Sequence, residues 1–401
     1  VIEEIGMQAA PNSRIRVLHL GKFYPPHPGG METHLETLCR ELTKTMDVRA
    51  LVANDERRNE DTIIDGVSVS RLAIDFHIAG APVCIGMAWK LRRSAADIVH
   101  VHLPNPASIV AVMASGYKGK LIATWHSDVV RQRRLAQIFA PIQRRFLRKC
   151  SAIIATSPNY VESSPDLARF RDRCQVIPFG INIDQFRRVD RDAVKAIRDR
   201  YPGPLLLAVG RLVYYKGFEY LIRAMKHTKA TLLIVGEGPL RHSLEQEARA
   251  AGVADRVIFL GALSGITSYY HACDVFVLSS VSRSEAFGIV QLEAMACGKP
   301  VVNTQLRSGV PFVSLDGVTG LTVAPRDSGE MAKALNRLLN DDELRKKYSE
   351  SALHRVRAEF TADAMAKRTL DVYQQVINAG LLCRDVDQQV GKGAELSSAA
   401  I

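Results

Sequence analysis

The chain of 401 residues contains no CxxC pair, no apolar run long enough to span a bilayer, and only 6% aromatic residues. Its seven cysteines, Cys39, Cys84, Cys150, Cys174, Cys273, Cys297 and Cys383, are scattered and odd in number. That excludes a disulfide framework and a cysteine zinc site, and it points to reduced thiols in a cytosolic setting. The longest apolar stretch, His77 to Trp89 (HIAGAPVCIGMAW), falls short of the ~20 residues a spanning helix needs, and Gly80, Pro82 and Gly86 interrupt it. A membrane crossing is therefore not expected, whereas a position on a membrane surface is compatible with the sequence. The first residues, VIEEIGMQAAPNSR, are acidic and polar and do not read as a signal peptide.

Acid is scarce in one region above all. Between Cys84 and Cys150 there are twelve Lys/Arg and two Asp, so this segment carries nearly all of the net charge of +11. Such a patch suits acidic lipid, a phosphorylated substrate or nucleic acid. Nucleic acid is disfavoured, because aromatic residues do not interleave with the cations and no nucleic-acid module is present.

What is present is an alternation. RIRVLHLG, DIVHVH and KLIATWH read as strands; METHLETLCRELTK has helical spacing. The pattern restarts with LLLAVG, TLLIVG, VIFLG, DVFVLSS and KPVVNT, separated by helices such as PLRHSLEQEARAAG. This is the rhythm of α/β units around parallel sheets, repeated in two halves. The expected layout is a first domain over 1–183 with the basic segment 84–150, a linker over 184–204, and a second domain over 205–361. A helix over 362–383 and a polar, disordered tail over 384–401 complete it. Two doubly wound domains bind ligands at the carboxyl ends of their strands.

The motifs fall at those ends. Arg211 and Lys216 flank the turn after LLLAVG (GRLVYYKG), where a guanidinium fork and an ammonium can hold a diphosphate. Gly236 follows TLLIV in VGEGPL, but Arg241 stands where a dinucleotide fingerprint has its third glycine, so this GxG is weak evidence for a dinucleotide. In SRSEAFGIVQLEAMACG, Glu285 precedes a helix start whose amides, Phe287, Gly288, Ile289 and Val290, offer a seat for an anion; Glu293 lies inside the helix. Carboxylates repel phosphate yet accept from hydroxyl pairs, so the arrangement fits a ligand with a central phosphate and polyols at both ends, which describes a nucleotide sugar.

In the first half, Gly29 and Gly30 open a helix and admit close backbone approach. His126 ends the strand KLIATWH and can hydrogen-bond a reacting sugar or leaving group. His100 and His102 alternate onto one strand face, so a metal-dependent hydrolase using His100, His102 and His126 is an alternative. Last, Arg131 to Cys150 reads as a helix with an apolar stripe at Leu135, Ile138, Phe139, Ile142, Phe146, Leu147 and Cys150. Arg131, Arg133, Arg134, Arg144, Arg145, Arg148 and Lys149 supply its cations. Core packing is the first expectation for the stripe; contact with anionic lipid is the expectation for the charge.

Taken together, EAFGIVQLEAMACGKPVV, VGRL…KG, VGEGP, PPHPGG, HVH and the HSD at His126 resemble the retaining GT-B glycosyltransferases of family GT4, over almost the whole ordered chain. The resemblance implies two Rossmann-like domains facing across a cleft, with the C-terminal helix crossing back to the first. It implies that Arg211 and Lys216 bind the donor diphosphate, that Glu285 holds the transferred sugar and that Glu293 holds the ribose. His126 would act near the reaction centre, and Gly29 and Gly30 would line the diphosphate and acceptor side. Transfer would proceed with retention, with no cofactor beyond the nucleotide sugar and no catalytic metal; Asp190-Arg191-Asp192 and Asp385-Val386-Asp387 fall in the linker and the tail. The texture is most similar to bacterial surface-polysaccharide enzymes of acetan or xanthan type. These move mannose from GDP-mannose onto a polyprenyl-diphosphate-linked oligosaccharide at the cytoplasmic face of the inner membrane. A UDP-sugar donor is one alternative, and a non-catalytic basic membrane-binding protein another. Two segments depart from the family pattern. Phe179-Gly180-Ile181-Asn182 replaces Asn-Gly-Val-Asp, and Ser308-Gly309-Val310-Pro311-Phe312 ends in Phe where Glu is usual.

Overall fold

The computed structural model describes residues 14–129 and 132–379. Arg131 and the tail 384–401 lie outside the described residues, as does the side chain of Arg133. Two compact units emerge: 14–123, 142–151 and 372–379 form the first, and 124–129, 132–141 and 152–371 the second. Among the described residues, the six cysteines are free thiols, and no helix is long and apolar enough to cross a membrane.

The first ten strands are β1 (Arg16–Leu20), β2 (Asp47–Asn54), β3 (Glu60–Ile64), β4 (Val67–Ala73), β5 (Phe76–Ile78), β6 (Ala81–Val83), β7 (Ile98–Leu103), β8 (Lys120–Trp125), β9 (Ala152–Ala155) and β10 (Cys174–Val176). Eight form one sheet in the order β10-β9-β8-β7-β1-β2-β4-β3, while β5 and β6 pair with each other alone. The centre is parallel, with β1 between β2 and β7, and β3 closes the edge antiparallel to β4. Position in the sheet explains the sequence. All six residues of β7, IVHVHL, are buried, because helices cover both faces of a parallel sheet. The edge strand β3 alternates half-buried and exposed. The strand order reverses at β1/β7, and the helix Gly30–Leu42 opens there, after β1.

The histidines of these strands form a buried chain. His19 Nδ1 lies 3.0 Å from His102 Nε2. The Tyr373 hydroxyl lies 2.6 Å from His100 Nδ1 and 3.4 Å from His19 Nε2. Tyr373 belongs to a helix over residues 362–379, whose last turns are part of the first unit. Burial lowers the imidazole of His102 to about 3 and holds those of His19 and His34 well below the ordinary histidine range. His100 and His102 do share a face, as alternation requires, but at 0% and 3% exposure their rings sit in packed protein.

The second sheet holds β11 (Leu205–Val209), β12 (Thr231–Val235), β13 (Val257–Gly261), β14 (Val275–Val277), β15 (Val301–Thr304) and β16 (Gly320–Val323). They run parallel in the order β13-β12-β11-β14-β15-β16. Residues of β11 alternate between two cores. Leu205 and Leu207 pack with Phe276, Leu292 and Met295, and Leu206 and Ala208 pack with Leu221, Leu232 and Leu335. This is the period-two consequence of a sheet sandwiched by helices. The order reverses between β11 and β14, the crevice where doubly wound sheets bind ligands.

Apolar-stripe packing of the basic helix is corrected in part. The helix Arg133–Lys149 continues through Pro141. Phe146 and Leu147 are fully buried, whereas Leu135, Ile138 and Ile142 are 50%, 75% and 43% exposed. Only its last turns serve the core.

The buried histidines set an acid limit. An unfolded histidine titrates near 6.5, while these stay neutral when folded. Below pH 6.5 the unfolded chain therefore binds protons that the folded chain does not, and stability falls as pH drops toward the folded values. We expect each such histidine to remove about 1.4 kcal/mol per pH unit below 6.5. Thermal unfolding between pH 8 and 5 checks this, and His102→Gln should flatten the slope.

Candidate active site

The Arg211–Lys216 and Glu285 motifs of the second unit lie on loops leaving the reversed pair β11 and β14, and Gly236 follows β12. After β11 the chain passes Gly210 and Arg211 into the short 3-10 turn Tyr214–Lys216. Arg211 is exposed, while Lys216 is buried. After β14 it passes Ser279 to Glu285 and enters the helix Ile289–Ala296. The two loops interlock: Ser279 Oγ donates to the Lys216 carbonyl at 2.9 Å, and Val281 N donates to the Tyr215 carbonyl at 2.8 Å.

The interlock brings the two motifs into contact. Lys216 Nζ lies 2.6 Å from Glu285 Oε2, with both side chains about nine-tenths buried. Ser280 Oγ donates to the same carboxylate oxygen at 2.9 Å. A cation suited to phosphate and a carboxylate suited to sugar hydroxyls thus share one spot with little water around them. In that setting each charge depends on the other, because an unpaired buried ion is costly.

The helix start follows the expected pattern. Gly288 is the N-cap at φ 75°, a left-handed value, and a Cβ there would come within 2.7 Å of Leu278 Cδ2. The first-turn amides of Ile289 and Val290 have no acceptor within the helix by construction. Phe287 contributes backbone at this point, but its ring is core, 4.9 Å from the ring of Phe179 and 6.1 Å from that of Phe360. Phe312, where the family usually has Glu, packs against Phe287 and Phe360. Gly236 has a packing cause of its own: at φ 137°, a Cβ would run into the Gly210 carbonyl.

Glu293 has a partner that the sequence did not reveal. The Tyr270 hydroxyl donates to its Oε2 at 2.6 Å. Burial raises the Glu293 carboxyl above its ordinary value, and burial together with the neighbouring Glu293 charge raises the Tyr270 phenol.

His126, just past β8, is buried with its ring 5.3 Å from that of Phe179. Two residues on, Asp128 accepts from Trp125 Nε1 at 2.9 Å and from Ser164 Oγ at 2.7 Å, and its Oδ2 lies 2.7 Å from Arg283 Nη2. Its amide donates to the Tyr160 hydroxyl at 2.8 Å. Arg283 also donates to the Ser163 carbonyl at 3.3 Å and lies over the Tyr160 ring. Because Arg283 is two positions before Glu285, this ion pair ties the His126 loop to the Glu285 loop. The two residues lie in the HSD and SRSEAF stretches, and nothing in local spacing relates positions so far apart.

Gly29 and Gly30 belong to the first unit, where Gly29 is the N-cap of the helix Gly30–Leu42. A Cβ on Gly29 would meet the Glu32 carboxylate. Glu32 is 7% exposed, and burial raises its carboxyl.

Two doubly wound parallel sheets, the second with basic and acidic groups on the loops at its reversal point, have the architecture of the GT-B class of sugar transferases. Residues 191–355 match the family described as Glycosyl transferases group 1, and residues 28–185 match Glycosyltransferase Family 4. The chain is 31% identical over 375 residues to the O-antigen chain mannosyltransferase C of Escherichia coli, covering 91% of this chain and 100% of that protein. It is 30% identical to the D-rhamnosyltransferase WbpZ of Pseudomonas aeruginosa, over 87% of this chain and 93% of that protein. The sucrose-phosphate synthase structure from Thermosynechococcus elongatus superposes with a TM-score of 0.76 at 22% identity, over 91% of this chain and 100% of that one. The chain belongs to glycosyltransferase family 4, with the GT-B fold, and is a glycosyltransferase. Nothing in these relatives supports a hydrolase using His100, His102 and His126.

Two outcomes follow. Removing one partner of the buried pair, by Lys216→Ala or Glu285→Ala, should cost about 3–5 kcal/mol of stability as well as transfer, whereas Lys216→Met/Glu285→Leu together should regain most of the stability and none of the activity. Denaturant unfolding of the four proteins checks this. Because the folded Glu293 carboxyl is raised, the folded chain holds its proton to higher pH than the unfolded chain, and ionising Glu293 costs stability as pH rises above its unfolded value near 4.3. Glu293→Gln should therefore raise the melting temperature at pH 8 by a few degrees while weakening nucleotide binding, measured by thermal shift and calorimetry.

Proposed function

We propose that the protein is a retaining hexosyltransferase that moves α-mannose from GDP-mannose onto a polyprenyl-diphosphate-linked oligosaccharide in bacterial surface-polysaccharide synthesis. The contact of Lys216 with Glu285 carries this reading. It sets a phosphate-binding cation beside a hydroxyl-binding carboxylate, the juxtaposition a sugar diphosphate requires. Arg211, exposed on the same loop, and Lys216 are assigned the diphosphate and the charge that develops on the leaving group. Glu285 takes hydroxyls of the transferred sugar. The Glu293 carboxylate, oriented by Tyr270, takes the ribose, and the amides from Phe287 to Val290 and the close turn at Gly236 complete the donor side. His126 is assigned to the reaction centre, and Gly29 and Gly30 to the diphosphate and acceptor side.

The donor diphosphate is neutralised by side chains in this reading, so no catalytic metal is assigned. Mannose as the sugar is supported by likeness along the full length of the Escherichia coli O-antigen mannosyltransferase. The helix Arg133–Lys149, with Arg134, Arg145, Arg148 and Lys149 exposed and Arg144 half-buried, suits an anionic membrane face where a lipid-diphosphate acceptor resides. Arg131 and Arg133 are assigned to the same basic surface from the sequence.

Calorimetric titration with GDP and then UDP, both in EDTA, tests the donor. Binding of GDP at least about tenfold tighter than UDP, a difference of 1.4 kcal/mol, is the expected result. Preference for UDP would overturn the GDP-mannose reading and leave the Lys216–Glu285 site intact. The anomeric configuration of the product, read by NMR, tests retention.

A further inference from the structure

We infer that the β5–β6 hairpin and the helix Gly86–Arg92 form a second, apolar docking surface that seats in an anionic lipid bilayer. Phe76, Ile78, Ile85 and Trp89 are 47%, 58%, 68% and 55% exposed. Phe76 and Ile78 are two apart on a strand, and Ile85 and Trp89 four apart around the helix start, so each pair shares a face. The roots of the two elements are tied together: Asp75 N donates to the Val83 carbonyl at 3.0 Å, and Ile85 N donates to the Asp75 carboxylate at 2.7 Å. Met87 and Leu91, on the other side of the helix, are buried at 4% and 0% exposure. The core thus anchors the helix from behind while its outer face stands in solvent.

The hairpin leaves the apolar side chains of β5 outside the core. It forms a two-stranded sheet of its own, every residue of β5 is exposed, and its turn at Ala79 and Gly80 has φ values of 50° and 80°. An isolated two-stranded ribbon with outward Phe and Ile is unfavourable in water alone.

Charge selects the occupant. From Phe76 to Arg93 the sequence contains Lys90, Arg92 and Arg93 and no Asp or Glu. Arg92 and Arg93 are exposed, the Arg93 guanidinium lies 3.9 Å above the Trp89 ring, and Lys22 Nζ reaches the Gly80 carbonyl at 3.4 Å at the hairpin tip. Aromatic and aliphatic side chains rimmed by cations match the acyl–headgroup boundary of an anionic leaflet. A second copy docking on the same patch through a two-fold axis would set these cations near their own equivalents. The surface is distinct from the helix Arg133–Lys149 and does not depend on the donor assigned above.

The test uses the full chain with vesicles of 30% phosphatidylglycerol in phosphatidylcholine and with pure phosphatidylcholine. The chain has two tryptophans, and Trp125 is 3% exposed, so a change in emission reports Trp89. The expected results are a blue shift of emission on the anionic vesicles only, and about tenfold weaker co-sedimentation for Phe76→Ser/Ile78→Ser. GDP and UDP binding and melting temperature should be unchanged in that variant, which separates this inference from the donor reading. Ile138→Ser, on the basic helix, should leave the emission shift in place. Co-sedimentation without a shift would overturn the proposal, as would equal binding to both vesicles or unaltered binding by the hairpin variant. A dimer that the hairpin variant dissolves would overturn it in favour of self-association.

Discussion

The second unit is organised around one buried ion pair. Lys216 and Glu285 come from loops after two different strands, and neither charge is tolerable at its depth without the other. The surrounding geometry serves that contact. Ser279 clasps the backbone of Lys216 and Ser280 the carboxylate of Glu285, while Arg283 is held on Asp128 from the far side. A sugar diphosphate entering here would find cation and carboxylate already dehydrated and oriented. It would have to exchange its own oxygens and hydroxyls for an existing ion pair. That exchange offsets part of what the dehydration and orientation of the two groups contribute.

Beneath the pair lies a polar network that gives the helix Ile289–Ala296 its seat. Gln291 donates to the Phe287 carbonyl at 3.1 Å. Asn303 Nδ2 donates to Gln291 Oε1 at 2.9 Å and lies within 3.2 Å of the Val310 and Ser314 carbonyls. Thr322 Oγ1 donates to Asn303 Oδ1 at 2.7 Å. Gln291 and Asn303 are fully buried, and a satisfied buried network holds one arrangement where an apolar core would accept several. It fastens the segment that ends in Phe312. The side chain that replaces the family's usual carboxylate there joins an aromatic cluster, and its carbonyl accepts from Arg355 at 2.8 Å. The departure thus sets a half-buried aromatic side chain against the core at this position.

Legibility in the sequence followed burial. The central strands β7, β8, β11 and β12 were readable because both faces are covered and their apolar runs are continuous. The strands β2 to β4 and β16 were not singled out. In β2 to β4 the exposed Arg49, Asp61 and Ser68 interrupt the apolar run, whereas β16 has no exposed residue and is only four residues long. The hairpin β5–β6 falls largely within the apolar stretch His77 to Trp89, which carried no strand reading, and every residue of β5 is exposed. Helix periodicity located Arg133–Lys149 but did not say which turns are covered, since a stripe looks the same whether or not a neighbour meets it.

By itself the sequence determined the α/β repeat, the family, and the motifs on strand-end loops, because periodicity and glycine placement are local properties. Only the tertiary structure decided that Lys216 reaches Glu285, that Tyr270 holds Glu293, that Asp128 meets Arg283, that His19 and His100 meet Tyr373, and that His102 meets His19. Each of these contacts joins residues from separate elements, from 23 to more than 350 positions apart. Sheet order and register set such distances, and no local pattern encodes them.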